Sequence, residues 1–197
     1  MFKQSRQIIL ASGSPRRRQY LERYKLQFDI RKGDVDESIN NDKNPDKYAE
    51  RMAREKGMVV AETLTNNEIV ISADTIVVLD NQIIGKPKDK DDVLPMLKKL
   101  NGNSHQVITA YFIYDCLSGQ EISRTVITRV EFNQVADEQL QAYADLEEPL
   151  DKAGAYSIQG IGTFLVKSIE GSYNNVVGLP IEVLLQDLID NKWLHYH

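Results

Sequence analysis

The chain has 197 residues, 42% of them apolar and 27% charged, with a formal net charge of −5 at pH 7. This balance excludes a disordered, collagenous or coiled-coil chain, and no run approaches the ~18 apolar residues of a membrane span, so a soluble protein of one domain over residues 1–197 is expected. Charge is unevenly placed, because residues 1–32 hold nine Lys/Arg against two acids and leave 15 against 27 for the remainder. A basic segment followed by acidic clusters suits a small polyanion held with a divalent metal, and the negative total argues against nonspecific nucleic-acid binding. The amino terminus enters an apolar run without an h-region or cleavage site, so a cytoplasmic protein without membrane attachment is expected. Cys116, alone and inside an apolar stretch, reads as a small buried hydrophobe.

Residues 7–11 suit a short buried strand. Ser14-Pro15 then signals a helix through about Tyr24, with a side-chain oxygen at the N-cap and proline at the first helical position. Residues 26–32 are a second strand candidate, followed by acidic Asp34-Val35-Asp36-Glu37, and Pro45 opens a long helix to about Leu64 whose apolar positions fit one face only loosely. Residues 68–79 are β-branched and nearly continuous apart from Ser72-Ala73-Asp74-Thr75, the pattern of a central strand covered on both faces. A turn and partner strand over 80–84 come next, then a helix over 89–100 ending near Asn101-Gly102. Residues 104–116 and 121–132 form a long hairpin around Ser118-Gly119. A helix over 137–146, a glycine-rich stretch from Gly154 to Gly178 with strand-like 163–169, and a helix over 180–190 complete the chain. Helices alternating with strands and long hairpins predict an α/β fold on a mixed sheet.

The first chemical cluster is Leu10-Ala11-Ser12-Gly13-Ser14-Pro15-Arg16-Arg17-Arg18, where a strand stops, small residues turn the chain and a helix begins. Backbone N–H groups at such a start favour a bound anion, and Arg16 and Arg17 add forked donors for phosphate oxygens; a capped helix with solvated arginines is the alternative. The segment is not a Walker loop, and Gly160-x-Gly162 lacks the third glycine of a dinucleotide fingerprint. Asp74 stands inside the central strand, where a carboxylate is costly without a metal, a cation or strong donors, so it is expected to have a partner. Asp36 and Glu37 add carboxylates nearby in sequence, and hard oxygen ligands beside a phosphate point to Mg²⁺ or Mn²⁺, although Asp34 and Asp36 read as a solvated face. Lys56 on the long helix and Lys86 in Gly85-Lys86-Pro87 suit cations aimed at a charge, against the usual surface role of lysine. Gln159, between glycine-rich turns, can offer its amide to a base edge or support its own loop. Of three histidines only His105 lies away from the carboxyl end, which leaves no zinc site or Ser-His-Asp triad, and aromatic–basic interleaving for single-stranded nucleic acid is absent.

These segments, together with Ala53-Arg54-Glu55-Lys56, Ala73-Asp74-Thr75, Gly85-Lys86-Pro87, Glu148-Pro149-Leu150-Asp151-Lys152-Ala153-Gly154-Ala155-Tyr156, Ile158-Gln159-Gly160 and Val176-Val177-Gly178-Leu179-Pro180, occur in an order and at spacings by which the chain resembles the Maf nucleotide pyrophosphatases over about residues 7–190. The resemblance implies the fold shared with inosine triphosphate pyrophosphatases, a mixed twisted central sheet flanked by helices, with two lobes around a cleft. It implies hydrolysis of a nucleoside triphosphate between the α and β phosphates with a divalent metal, and suggests a homodimer. By the same resemblance Asp74 is the catalytic proton acceptor, with Lys56 and Lys86 at the catalytic centre. Ser12, Arg16, Arg17, Thr75 and Gln159 bind substrate, and Glu37 and Asp74 hold the metal. Arg16, Thr75 and Gln159 match the branch that looks like the dTTP and UTP hydrolases, whereas another branch has tryptophan, glutamine and glutamate there. Gly57 departs from the alanine usual after the helix lysine, as do Asn174-Asn175 before Val176. The rivals are a nucleotide-binding regulatory protein linked to septum formation and a phosphatase that releases orthophosphate.

Overall fold

The computed structural model describes residues 1–37, 44–65 and 67–196. In chain order the described elements are β1 (Phe2–Gln4), β2 (Gln7–Leu10), α1 (Pro15–Arg23), β3 (Phe28–Ile30), α2 (Pro45–Ala61), β4 (Glu68–Leu79), β5 (Gln82–Ile84), α3 (Lys90–Leu100) and β6 (Ser104–Asp115). They continue with β7 (Glu121–Phe132), α4 (Asp137–Ala144), short 3₁₀ turns at Ala153–Ala155 and Ile161–Leu165, β8 (Val166–Glu170), α5 (Tyr173–Val177), α6 (Ile181–Asp190) and β9 (Leu194–Tyr196). Among these helices none is long and apolar enough to cross a membrane.

One seven-stranded sheet runs in the order β3-β2-β4-β6-β7-β8, with β5 on the free part of β4. β2 pairs parallel with β3 and β4, while β4–β5, β4–β6, β6–β7 and β7–β8 are antiparallel, so the sheet is mixed as expected. The expected strand over 26–32 shortens to β3, and the strand-like 163–169 begins as a 3₁₀ turn before β8. The β1–β9 ribbon and α5 carry too few residues for a periodic signal and emerge only from the fold.

The central strand is covered on both faces. Along one face of β4 and β6, Ile69, Ile71, Ala73, Tyr111 and Ile113 pack under α1 and α6, while Val77 and Val107 pack under α3 and α4. Between these two apolar clusters lies a polar seam, in which the Thr75 and Thr109 hydroxyls are 2.9 Å apart and Thr109 donates to the Asn175 carbonyl at 3.0 Å. The seam divides this face into two lobes.

The opposite face is covered by α2, whose buried residues Tyr48, Ala49, Met52, Ala53, Gly57, Val60 and Ala61 recur every three or four positions. Asn44 caps this helix by accepting from the Asp46 and Lys47 amides. The helix lies so close to the sheet that the Ser72 hydroxyl donates to the Ala53 carbonyl at 2.6 Å, and a Cβ at Gly57 would meet both Phe112 and Ser72 at 2.6 Å. Glycine at 57 therefore follows from this close approach.

His105, 2% exposed, sits in the α3–α4 lobe with its Nε2 2.8 Å from the Tyr156 hydroxyl, and burial pulls its pKa down to about 4. A histidine kept neutral in the folded state adds stability fully present above its unfolded pKa of ~6.5, which is lost as pH falls toward its folded pKa. His105→Gln is expected to flatten the acid limb, so that wild type loses about 2 kcal/mol more than the variant between pH 7 and pH 5 in urea unfolding. Parallel curves for the two proteins would refute this.

Candidate active site

The pairing of β4 leaves a gap in the sheet. β2 ends where Leu10 pairs with Ile71, and β5 joins only at Val77, so among the described residues no strand lies beside 72–76 on that edge. A carboxylate placed mid-strand thereby reaches solvent: the Asp74 side chain is 13% exposed. Asp74 and Thr75 point to opposite faces by the two-residue period of a strand, and both border a cavity of about 450 Å³ that opens through the gap.

Asp74 points toward α2, where Lys56 continues the core-facing spacing of Met52, Ala53, Gly57 and Val60. Its ammonium lies 2.6 Å from Asp74 Oδ1 and 2.7 Å from Glu37 Oε1, and is itself 14% exposed. The partner required by Asp74 is thus a lysine. Glu37 is brought in by the segment after β3 and held through its carbonyl by the Tyr48 hydroxyl at 2.8 Å. Burial acts to raise the Glu37 pKa, but the hydrogen bond and charge of Lys56, with Lys86 and Arg17 beyond, outweigh it and hold the carboxyl below its ordinary value. Lys86, after β5, stands 3.9 Å from Glu37 Oε2 and is 58% exposed.

On the other face, Arg17 reaches from α1 into the seam. Its Nε donates to the Gly178 carbonyl at 2.8 Å, Nη1 to the Ala73 carbonyl at 2.7 Å and Ser12 Oγ at 3.1 Å, and Nη2 to Thr75 Oγ1 at 3.0 Å. Four of its five N–H groups are thereby committed to the protein, so Arg17 ties α1 to β4 and to the turn after α5 more than it offers a fork to a ligand. Burial pulls its pKa below the ordinary arginine value, opposed chiefly by Asp74. Ser14 occupies the N-cap without a side-chain bond; Ser12 Oγ instead accepts from the Ser14 amide at 3.2 Å. Arg16 stays at the cavity mouth, 3.6 Å from Asp151.

All nine site residues expected from the sequence, namely Ser12, Arg16, Arg17, Glu37, Lys56, Asp74, Thr75, Lys86 and Gln159, line the same cavity. The Gln159 side-chain amide makes no hydrogen bond among the described residues, and the cavity it borders is lined also by the apolar Val77, Val107, Ile158 and Val177 and by Tyr156. Two cations escaped the sequence reading. Lys32 lies against Gly13, where a Cβ would meet its Cε at 2.5 Å, and Lys152 donates to the Glu148 carbonyl at 2.6 Å and pairs with Asp151. Both were visible only as ordinary charged residues at the edge of a strand and in a polar loop.

No group of three or more metal-binding side chains occurs among the described residues. Glu37 and Asp74, however, meet on a single cationic nitrogen, and two carboxylates bordering a cation-lined cavity suit a hard cation that takes its other oxygen ligands from outside the protein. The donor set therefore fits Mg²⁺ or Mn²⁺.

A family profile described as Maf-like protein matches residues 7–191. A dTTP/UTP pyrophosphatase of Alkaliphilus oremlandii (strain OhILAs) is 46% identical over 176 residues, 89% of this chain and 91% of that protein. A dTTP/UTP pyrophosphatase of Clostridioides difficile (strain 630) is 46% identical over 177 residues, 90% and 91% of the two chains. Among solved structures, a HAM1 protein from Coxiella burnetii superposes with a TM-score of 0.54 at 12% identity, covering 93% of this chain and 98% of that one. The Staphylococcus aureus Ham1 protein does so with a TM-score of 0.51 at 14% identity, covering 94% and 99%. At such identities the likeness bears on the fold alone.

Proposed function

The chain belongs to the family of Maf-like proteins, and from that premise we propose that it is a nucleoside triphosphate pyrophosphatase that hydrolyses dTTP and UTP to the monophosphate and pyrophosphate. The observation that carries this reading is the meeting of Asp74, Glu37 and Lys56 in a cation-rich cavity at the sheet gap. We take residues 1–197 as one domain of this kind, because strands from residue 7 to residue 170 share one sheet. A homodimer is the assembly we expect, with neither nucleic acid nor membrane as partner. A cytoplasmic location agrees with the single cysteine: Cys116 is half-buried and burial raises its thiol pKa.

In this reading Glu37 and Asp74 hold Mg²⁺ or Mn²⁺, which when bound supplies Lewis-acid charge on the phosphate oxygens. The substrate's phosphates lie along Ser12, Arg16, Lys56 and Lys86. Asp74 accepts a proton from the water that attacks the α phosphorus, using the oxygen not engaged by Lys56. The bond from that phosphorus to the bridging oxygen breaks, and pyrophosphate leaves with the electron pair while the cations stabilise its growing charge. Arg17 holds Ala73, Thr75 and Gly178 in place behind the reacting groups. Gln159 presents its amide to O4 and N3–H of thymine or uracil, an acceptor–donor pair that cytosine and adenine present in reverse.

Purified protein with Mg²⁺ or Mn²⁺ is expected to release pyrophosphate from dTTP and UTP at kcat/KM at least ~10-fold above that for CTP and ATP, since a site built to bond a base edge rejects bases lacking it. Release of orthophosphate, or equal rates across the panel, would defeat the assignment.

A further inference from the structure

The peptide carrying Gln159 is braced from both sides by one residue outside the catalytic group. Glu148, in the turn after α4, accepts from the Gly162 amide at 3.0 Å through Oε1 and from the Ile161 amide at 3.2 Å through Oε2. Oε1 also accepts from the Tyr143 hydroxyl at 2.9 Å, and that hydroxyl accepts from the Ser157 amide at 3.2 Å. Ser157 Oγ in turn bonds the backbone N–H and carbonyl of Gln159. Gly160 completes the arrangement: its φ of +105° lies in the region that favours glycine, and a Cβ there would meet Glu148 Oε2 at 2.4 Å. Burial acts to raise the Glu148 pKa, but the bonds from Gly162, Tyr143 and Ile161 outweigh it and keep the carboxylate ionised at neutral pH.

We propose that Glu148 is a positioning residue for base selection, fixing the Gln159 amide at the cavity wall through the peptides on either side of it. Gln159 itself has no side-chain bond among the described residues to hold its direction, so its aim depends on this backbone frame. The inference rests on the reading of Gln159 as the base-recognising residue.

The test is a double-mutant cycle on full-length protein with the metal present, measuring kcat and KM for UTP and CTP in wild type, Gln159→Glu, Glu148→Gln and the double variant. Glu148→Gln turns one acceptor into a donor facing a backbone N–H. The UTP/CTP ratio of kcat/KM is expected to fall ~10-fold, through KM for UTP, with kcat within about twofold. In the double variant the ratio should fall no further than in Gln159→Glu alone. A Glu148→Gln ratio equal to wild type while Gln159→Glu shifts it, multiplying effects in the double variant, or an equal loss of kcat on both substrates would overturn the positioning role and leave Gln159 standing. An unchanged ratio in Gln159→Glu would instead remove the base-reading assignment, and this inference with it. Should Glu148→Gln fail to fold, Tyr143→Phe, which removes the hydroxyl linking Glu148 to Ser157, is expected to move the ratio in the same direction; no movement there refutes the proposal.

Discussion

Asp74→Asn is expected to lower kcat for pyrophosphate release from dTTP by ~10²–10⁴-fold, the range that general-base assistance contributes, with a smaller change in KM. The substitution isolates the chemistry from the fold. Asparagine keeps the size of the side chain, and its carbonyl can still accept from Lys56, so the contact now 2.6 Å long need not be lost. What disappears is the negative charge able to take a proton and the anionic oxygen able to hold a cation. The strand itself is anchored by ten antiparallel register pairs with β6 and by Arg17 on the Ala73 carbonyl, neither of which depends on the carboxylate. Thermal unfolding should therefore remain close to wild type while turnover collapses. Wild-type turnover in Asp74→Asn would end the assignment of Asp74 as proton acceptor.

Lys56→Met should combine a large loss of activity with a loss of stability that depends on pH. Methionine suits the core-facing stripe of α2, where Lys56 is flanked by Met52, Ala53, Gly57 and Val60, so helix packing survives. The two carboxylates that share its ammonium do not fare as well. Asp74 is largely shielded from water and loses its only hydrogen-bonded partner among the described residues, at a cost of about 1–3 kcal/mol. Exposed Glu37 contributes little to that figure because solvent screens it. In the wild type Lys56 holds the Glu37 carboxyl below its ordinary value, so that interaction adds stability that is fully present above the unfolded pKa and is lost as the pH falls through the folded one. The deficit of the variant is therefore full at neutral pH and shrinks on acidification. Urea midpoints at pH 7.5 and pH 4.5 check this, and a difference that widened on acidification would refute it. Loss of a cation beside the leaving group should also lower kcat/KM for dTTP by ~10²-fold or more.

The interruption of an apolar strand by Ser72-Ala73-Asp74-Thr75 made Asp74 conspicuous as a carboxylate in need of a partner, and the small-residue turn into α1 marked the phosphate-like corner. Long elements were legible because their periodicity extends over many residues: β4, β6, β7 and α2 lie where the apolar pattern put them. Lys56 was harder to place. Its position within the helix already has the core-facing spacing, but a charged residue looks like an interruption until the sheet beneath is seen to carry a matching charge. Arg17 was legible as a cation and not as a strut, because its acceptors come from residues 12, 73, 75 and 178. Sequence distance hides such convergence completely.

From the order of letters alone came the α/β class, the strand that holds the carboxylate and the family resemblance, because these depend on local periodicity and on motifs read in sequence. Only the tertiary structure decided that β2 stops at Leu10 and β5 starts beside Val77, leaving the gap through which Asp74 reaches solvent. It alone decided that Lys56 joins Asp74 to Glu37 and that Glu148 frames Gln159. Strand register and side-chain convergence are properties of nonlocal packing, in which each residue's partner is chosen by the shape of the whole sheet rather than by its neighbours in the chain.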